Sequence, residues 1–67
     1  MLLKEKRMSV NLTQEAVASY LNISRTTIAM WESGASAPRA DKLPLLARLY
    51  GCTIDELFEN PEERKAV

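Results

Sequence analysis

Histidine does not occur in this 67-residue sequence, cysteine occurs once, at Cys52, and glycine only twice. A lone thiol can form no internal disulfide and, without imidazole, no zinc cluster. No metal and no other cofactor is therefore expected, and a reducing cytoplasm is the compartment that fits. Without histidine and without a Gly-rich phosphate loop, the usual nucleophile, metal and nucleotide constellations are missing, so enzymatic activity is not expected. The adjacent acids Asp55 and Glu56 read as a charged first helical turn rather than as a catalytic pair. No apolar run approaches the roughly 20 residues of a membrane span, and the start Met1 to Lys6 lacks the apolar core of a secretory signal. Strand-like alternation, internal repeats and low-complexity linkers are also missing.

Charge of one sign is missing in the sum, because nine basic and nine acidic residues cancel. Their distribution is uneven. Up to residue 48 seven basic residues stand against four acidic, whereas from residue 49 on only Arg64 and Lys65 oppose five acids. The first part is able to face a polyanion and the acidic end should face away, although an excess of this size is a weak signal alone.

What is present is ordinary for a globular domain: 46% hydrophobic and 27% charged residues. So short a chain makes one domain and buries only about 60% of the surface its unfolded form exposes, which leaves modest stability unless it dimerises. Helix punctuation dominates. Leu2, Leu3, Arg7 and Val10 suggest a first helix ended by Asn11, a residue that tolerates the left-handed conformation. Thr13 caps a second helix to about Leu21, and Asn22 and Ile23 form a tight turn. Ser24 caps a third helix that ends near Ser33 and Gly34. A fourth is expected over Ala40 to Tyr50, stopped by Gly51. Pro44 there requires either a start close to Asp41 or a bend. Thr53 to Glu56 has the capping-box spacing and opens a short fifth helix through Phe58. Asn60-Pro61 resembles another helix start, but too few residues follow to hold it.

In the second and third helices Val17 and Leu21, and Ile28 and Trp31, form one apolar stripe each, while Ala18 is small enough for close approach of the axes. That geometry suits a helix-turn-helix, although periodicity alone leaves a generic helical hairpin equally open. Trp31, Leu21, Ile23, Ile28, Val17, Leu3, Leu43, Leu46 and Leu49 are the expected core.

The series Gln14, Ala18, Asn22-Ile23-Ser24, Ile28, Trp31-Glu32 and Gly34 resembles the helix-turn-helix of the Cro/cI-type (XRE-like) phage and bacterial regulators. Arg7, Pro38 and the run Leu46 to Leu57 extend the likeness to nearly the whole chain. Two departures stand out. Family members commonly carry glycine at the position of Asn22, and a basic residue often follows the glycine where this chain has Ala35. The resemblance implies an all-α, compact five-helix bundle of the lambda-repressor-like kind. Residues 1–59 would form the DNA-binding domain, and residues 60–67 a tail that is frayed or ordered by a partner. The implied function is sequence-specific binding of double-stranded DNA as a transcriptional regulator, with repression the expected direction. An antitoxin or other protein-interaction module on the same scaffold is the alternative.

Under that reading the helix Ser24 to Glu32 enters the major groove by its N-terminal end, with Arg25, Thr26, Thr27, Ala29 and Met30 facing outward. Arg25 suits the O6 and N7 of guanine, and the threonine methyls and Met30 suit a thymine methyl. Gln14, at the positive end of the second helix, is expected on a phosphate, with Ser24, Ser33 and Arg39 near the backbone. The resemblance also implies an ion pair between Arg7 and Glu32. Ile54, Leu57 and Phe58 are expected to form a homodimer interface for a palindromic operator.

Overall fold

The second and third helices each begin on a residue whose side chain accepts from a free backbone N–H. In the computed structural model, which describes residues 1–58, Thr13 is extended and its Oγ1 accepts from the Ala16 N–H at 3.0 Å. This starts α2, Gln14–Leu21. Asn22 closes it in the left-handed region (φ 58°, ψ 47°) and directs its N–H at the carbonyls of Ala18 and Ser19. Two residues later the extended Ser24 accepts from the Thr27 N–H at 3.1 Å and starts α3, Arg25–Ser33. Gly34, at φ 87°, stops it.

The first helix, α1, spans Leu3–Ser9 and is shorter than expected, with Val10 outside it as the cap residue. Asn11 takes φ 59°, and the Leu12 N–H turns back to the Arg7 carbonyl at 3.3 Å. The expected continuous fourth helix is divided. A 3-10 turn over Ala40–Lys42 leads into α4, Leu43–Tyr50, and Pro44 falls in the first turn of α4. Its missing N–H has no acceptor to lose there, so the proline that threatened a kink instead fixes where the α-helix begins. The short α5, Ile54–Phe58, is held by a complete capping box. Thr53 N–H donates to Glu56 Oε1 at 2.9 Å, and Glu56 N–H to Thr53 Oγ1 at 3.2 Å.

The five α-helices of the described residues converge on one core. Val17, Ala18 and Leu21 from α2 meet Ile28 and Trp31 from α3, with Leu3 above and Leu46, Ala47, Tyr50 and Leu57 behind. Ile23, Leu43 and Leu49 are only partly buried and pack against its rim. Ala18 is 5% exposed, so the corner between α2 and α3 closes on a methyl group where a larger side chain would force the axes apart. The chain start is fastened to the far end of the fold, since Leu2 N–H donates to the Leu57 carbonyl at 2.7 Å. Among the described residues there is no strand, and no helix is long and apolar enough to cross a membrane. The expected tail, residues 60–67, lies outside the described residues.

Candidate nucleic-acid interface

The periodicity of α3 splits it into two faces. Ile28 and Trp31 are buried, while Arg25 and Thr26 stand exposed at its N-terminal end and Met30 is 40% exposed one turn on. Arg25 forms no hydrogen bond or ion pair through its guanidinium among the described residues, and neither does Arg39, exposed just before the 3-10 turn. Both therefore keep their donor capacity.

The hydroxyls are less free. Ser24 Oγ is engaged by the Thr27 backbone and lies 2.9 Å from Thr27 Oγ1, so these two side chains hold each other. Ser33 Oγ donates to the Met30 carbonyl at 3.2 Å, and Ala29 is half-buried toward α2 and α1.

Behind this face an ion pair joins α1 to the end of α3. Arg7 Nε donates to Glu32 Oε2 at 2.6 Å and Nη2 to Glu32 Oε1 at 3.2 Å, with side chains only 11% and 4% exposed. Two features of this network have no signal in the sequence. Arg7 Nη1 also donates to the Leu12 carbonyl at 2.7 Å, and Gln14 Nε2 donates to Glu32 Oε1 at 3.0 Å. The first is local, to a backbone carbonyl five residues on in the connection to α2, whereas the second joins α2 to α3 across 18 residues. Burial acts to raise the Glu32 pKa, but the hydrogen bonds from Arg7 and Gln14, with the charges of Arg7 and Lys4, outweigh it. The carboxyl is held below its ordinary value of 4.5. Its hydrogen bond to Glu32 likewise raises the Arg7 pKa against the opposite pull of burial. On the neighbouring α4, desolvation reinforced by the Glu32 charge pushes the Tyr50 phenol up to about 12, although the Arg7 charge opposes it.

The C-terminal residues expected at a dimer surface divide. Leu57 is 0% exposed and belongs to the core, because the capping box turns α5 so that this side chain points under α1 and α4. It has no surface to offer a partner. Ile54 and Phe58 remain exposed, at 39% and 50%. Cys52 is a free thiol whose pKa is raised by burial, which makes it a poor nucleophile.

This arrangement has counterparts among known proteins. Residues 3–57 match the model of the helix-turn-helix family. The chain is 42% identical over 60 residues to the HTH-type transcriptional activator BcrR of Enterococcus faecalis, covering 90% of this chain and 29% of that protein. It is 30% identical over 60 residues to the cryptic phage CTXphi transcriptional repressor RstR of Vibrio cholerae, covering 90% of this chain and 54% of RstR. An HTH-type transcriptional regulator of Archaeoglobus fulgidus is 33% identical over 61 residues, 91% of this chain and 86% of the relative. The chain thus spans about a third to a half of the first two relatives. No solved structure gives a significant match. With a matched span from Leu3 to Leu57, the chain belongs to the XRE-type helix-turn-helix family of DNA-binding transcription regulators.

Proposed function

We propose that α3 is the recognition helix and that the protein reads a specific double-stranded DNA site through the major groove. The observation that carries this is the outer face of α3: an exposed arginine at the leading end with no partner among the described residues, followed by Thr26 and Met30. Arg25 makes the bidentate contact to a guanine, and Thr26, the Thr27 methyl, Ala29 and Met30 make apolar contacts, with a thymine methyl as the natural counterpart. Gln14, Ser24, Ser33 and Arg39 lie toward the backbone and hold the register. A protein-docking face would be broadly apolar, and on this one Met30 is the single large exposed apolar residue. That favours DNA over the antitoxin or interaction-module reading. Salt-dependent binding to duplex DNA tests it, since phosphate contacts release counterions and a protein-only module gives no slope.

Two copies bind a palindromic operator, joined through Ile54 and Phe58, so that two recognition helices reach successive turns of the groove. Residues 1–59 form the binding domain. Repression is the direction we assign, because occupancy of a site by itself excludes other proteins from it, whereas activation needs a further contact. A promoter fusion carrying the selected site reads the direction. The free thiol of Cys52 supports a cytoplasmic setting.

A further inference from the structure

Four hydroxyl side chains lie between Ser24 and Ser33, and three of them are engaged. Ser24 Oγ accepts from the Thr27 N–H and pairs with Thr27 Oγ1, and Ser33 Oγ donates to the Met30 carbonyl. Thr26 is exposed, and its hydroxyl makes no hydrogen bond among the described residues. Ala29 and Met30 follow it at three and four residues along α3, so both lie beside it on the helix surface. Ala29 is half-buried and has only a methyl group, whereas Met30 is 40% exposed. The three make a shallow apolar notch, with Ala29 as its floor and the Thr26 methyl and the Met30 thioether as its walls. We propose that this notch is a subsite for a 5-methylpyrimidine and takes thymine and 5-methylcytosine alike, an assignment that rests on the DNA-binding reading above.

In the major groove thymine presents the O4 acceptor and a C5-methyl group, and cytosine presents the N4 donor with no methyl group. 5-Methylcytosine combines the cytosine donor with the methyl group of thymine. An arginine at the position of Thr26 could only donate and would choose the acceptor. A hydroxyl both donates and accepts, and the Thr26 hydroxyl is committed to neither role by the fold, so it meets O4 or N4 equally well. The edge therefore does not separate thymine from cytosine at this position, and the methyl group, which projects from the same ring carbon in thymine and 5-methylcytosine, does. Ala29 leaves room for it, and the unbranched Met30 side chain conforms to it. The consequence is a readout that depends on the modification state of the DNA: a cytosine carrying the C5-methyl group is bound as thymine is, and the unmodified cytosine is not.

The experiment measures the affinity of the full chain, at one salt concentration, for its selected site and for duplexes in which each pyrimidine in turn is thymine, deoxyuridine, cytosine or 5-methylcytosine, with the complementary purine opposite. At one position thymine and 5-methylcytosine should bind alike, and about fourfold more tightly than deoxyuridine and cytosine, the factor that burial of one methyl group gives. Met30→Ala removes a wall and Ala29→Val fills the floor, so each should bring that ratio toward one and leave the preferences at other positions as they are. Met30 is exposed, so its variant carries the test even if Ala29→Val disturbs the packing. Thr26→Val keeps a methyl group and loses the hydroxyl; it should weaken binding to all four duplexes and preserve the ratio. Equal binding of thymine and deoxyuridine at every position, 5-methylcytosine no better than cytosine where thymine is preferred, or a methyl preference that neither Met30→Ala nor Ala29→Val reduces would each overturn the assignment. If the unaltered chain binds no duplex at all, the DNA-binding reading itself fails, a result distinct from tight binding without a methyl preference.

Discussion

Arg7 and Glu32 carry charges largely withdrawn from water, and each compensates the charge of the other. Removing one partner leaves the other as a buried, uncompensated ion, so Arg7→Met and Glu32→Gln should each lower stability by about 3 kcal/mol. Denaturant titration measures this directly. The same pair sets a pH dependence. The Glu32 pKa is lower in the folded chain than its ordinary 4.5, so the unfolded chain takes up the proton first as acid is added. The stabilisation is complete above pH 4.5 and is lost as the pH falls toward the depressed folded value. The thermal midpoint should therefore fall on acidification below that point, and Glu32→Gln should flatten the fall. Tyr50 acts at the other extreme. Its phenol ionises at about 12 when folded, above the ordinary 10.0, so its contribution is complete below pH 10 and lost as the pH rises to 12. Tyr50→Phe should weaken the alkaline loss of helical signal.

The short helices depend on their ends. Thr13→Ala and Ser24→Ala each remove a side-chain acceptor from a first-turn N–H and should cost about 1 kcal/mol. At Asn22 and Gly34 the backbone itself is the issue. A Cβ added at Gly34 would meet nothing within 4 Å, so the cost of Gly34→Ala is the left-handed conformation alone, about 1–2 kcal/mol. Asn22→Ala should also destabilise, and Asn22→Gly should be close to neutral; thermal melts of the variants separate these outcomes. These positions were legible in the sequence because capping is local: Thr13, Asn22, Ser24, Gly34 and the Thr53 to Glu56 box depend on neighbours within four residues. The outer face of α3 and the Arg7–Glu32 pair were legible too, the first from periodicity and the second only through family resemblance. What escaped was set by tertiary packing. The hydrogen bond from Gln14 to Glu32 and the burial of Leu57 depend on how separate helices meet. The 3-10 turn before Leu43 escaped for a different reason, since Pro44 fixes a boundary but does not say which kind of turn precedes it.

At the scale of the molecule, α3 is nine residues long and therefore roughly 13 Å from end to end, enough to face only a few base pairs. Two helices placed on half-sites about 34 Å apart extend the reading to a full turn of DNA. Phe58→Asp puts a charge on the proposed contact and should abolish cooperative binding to a palindrome while leaving half-site binding intact. Sedimentation of the complex distinguishes two copies from one. The central claim is that α3 reads sequence, and it is tested most directly at Arg25. Binding of the unaltered chain and of Arg25→Ala should be compared at one salt concentration, on the selected site and on duplexes altered one base pair at a time. Arg25→Ala should lose about 1–3 kcal/mol on the selected site and no longer distinguish one G·C pair. A uniform loss on every duplex, with the base preference unchanged, would contradict it.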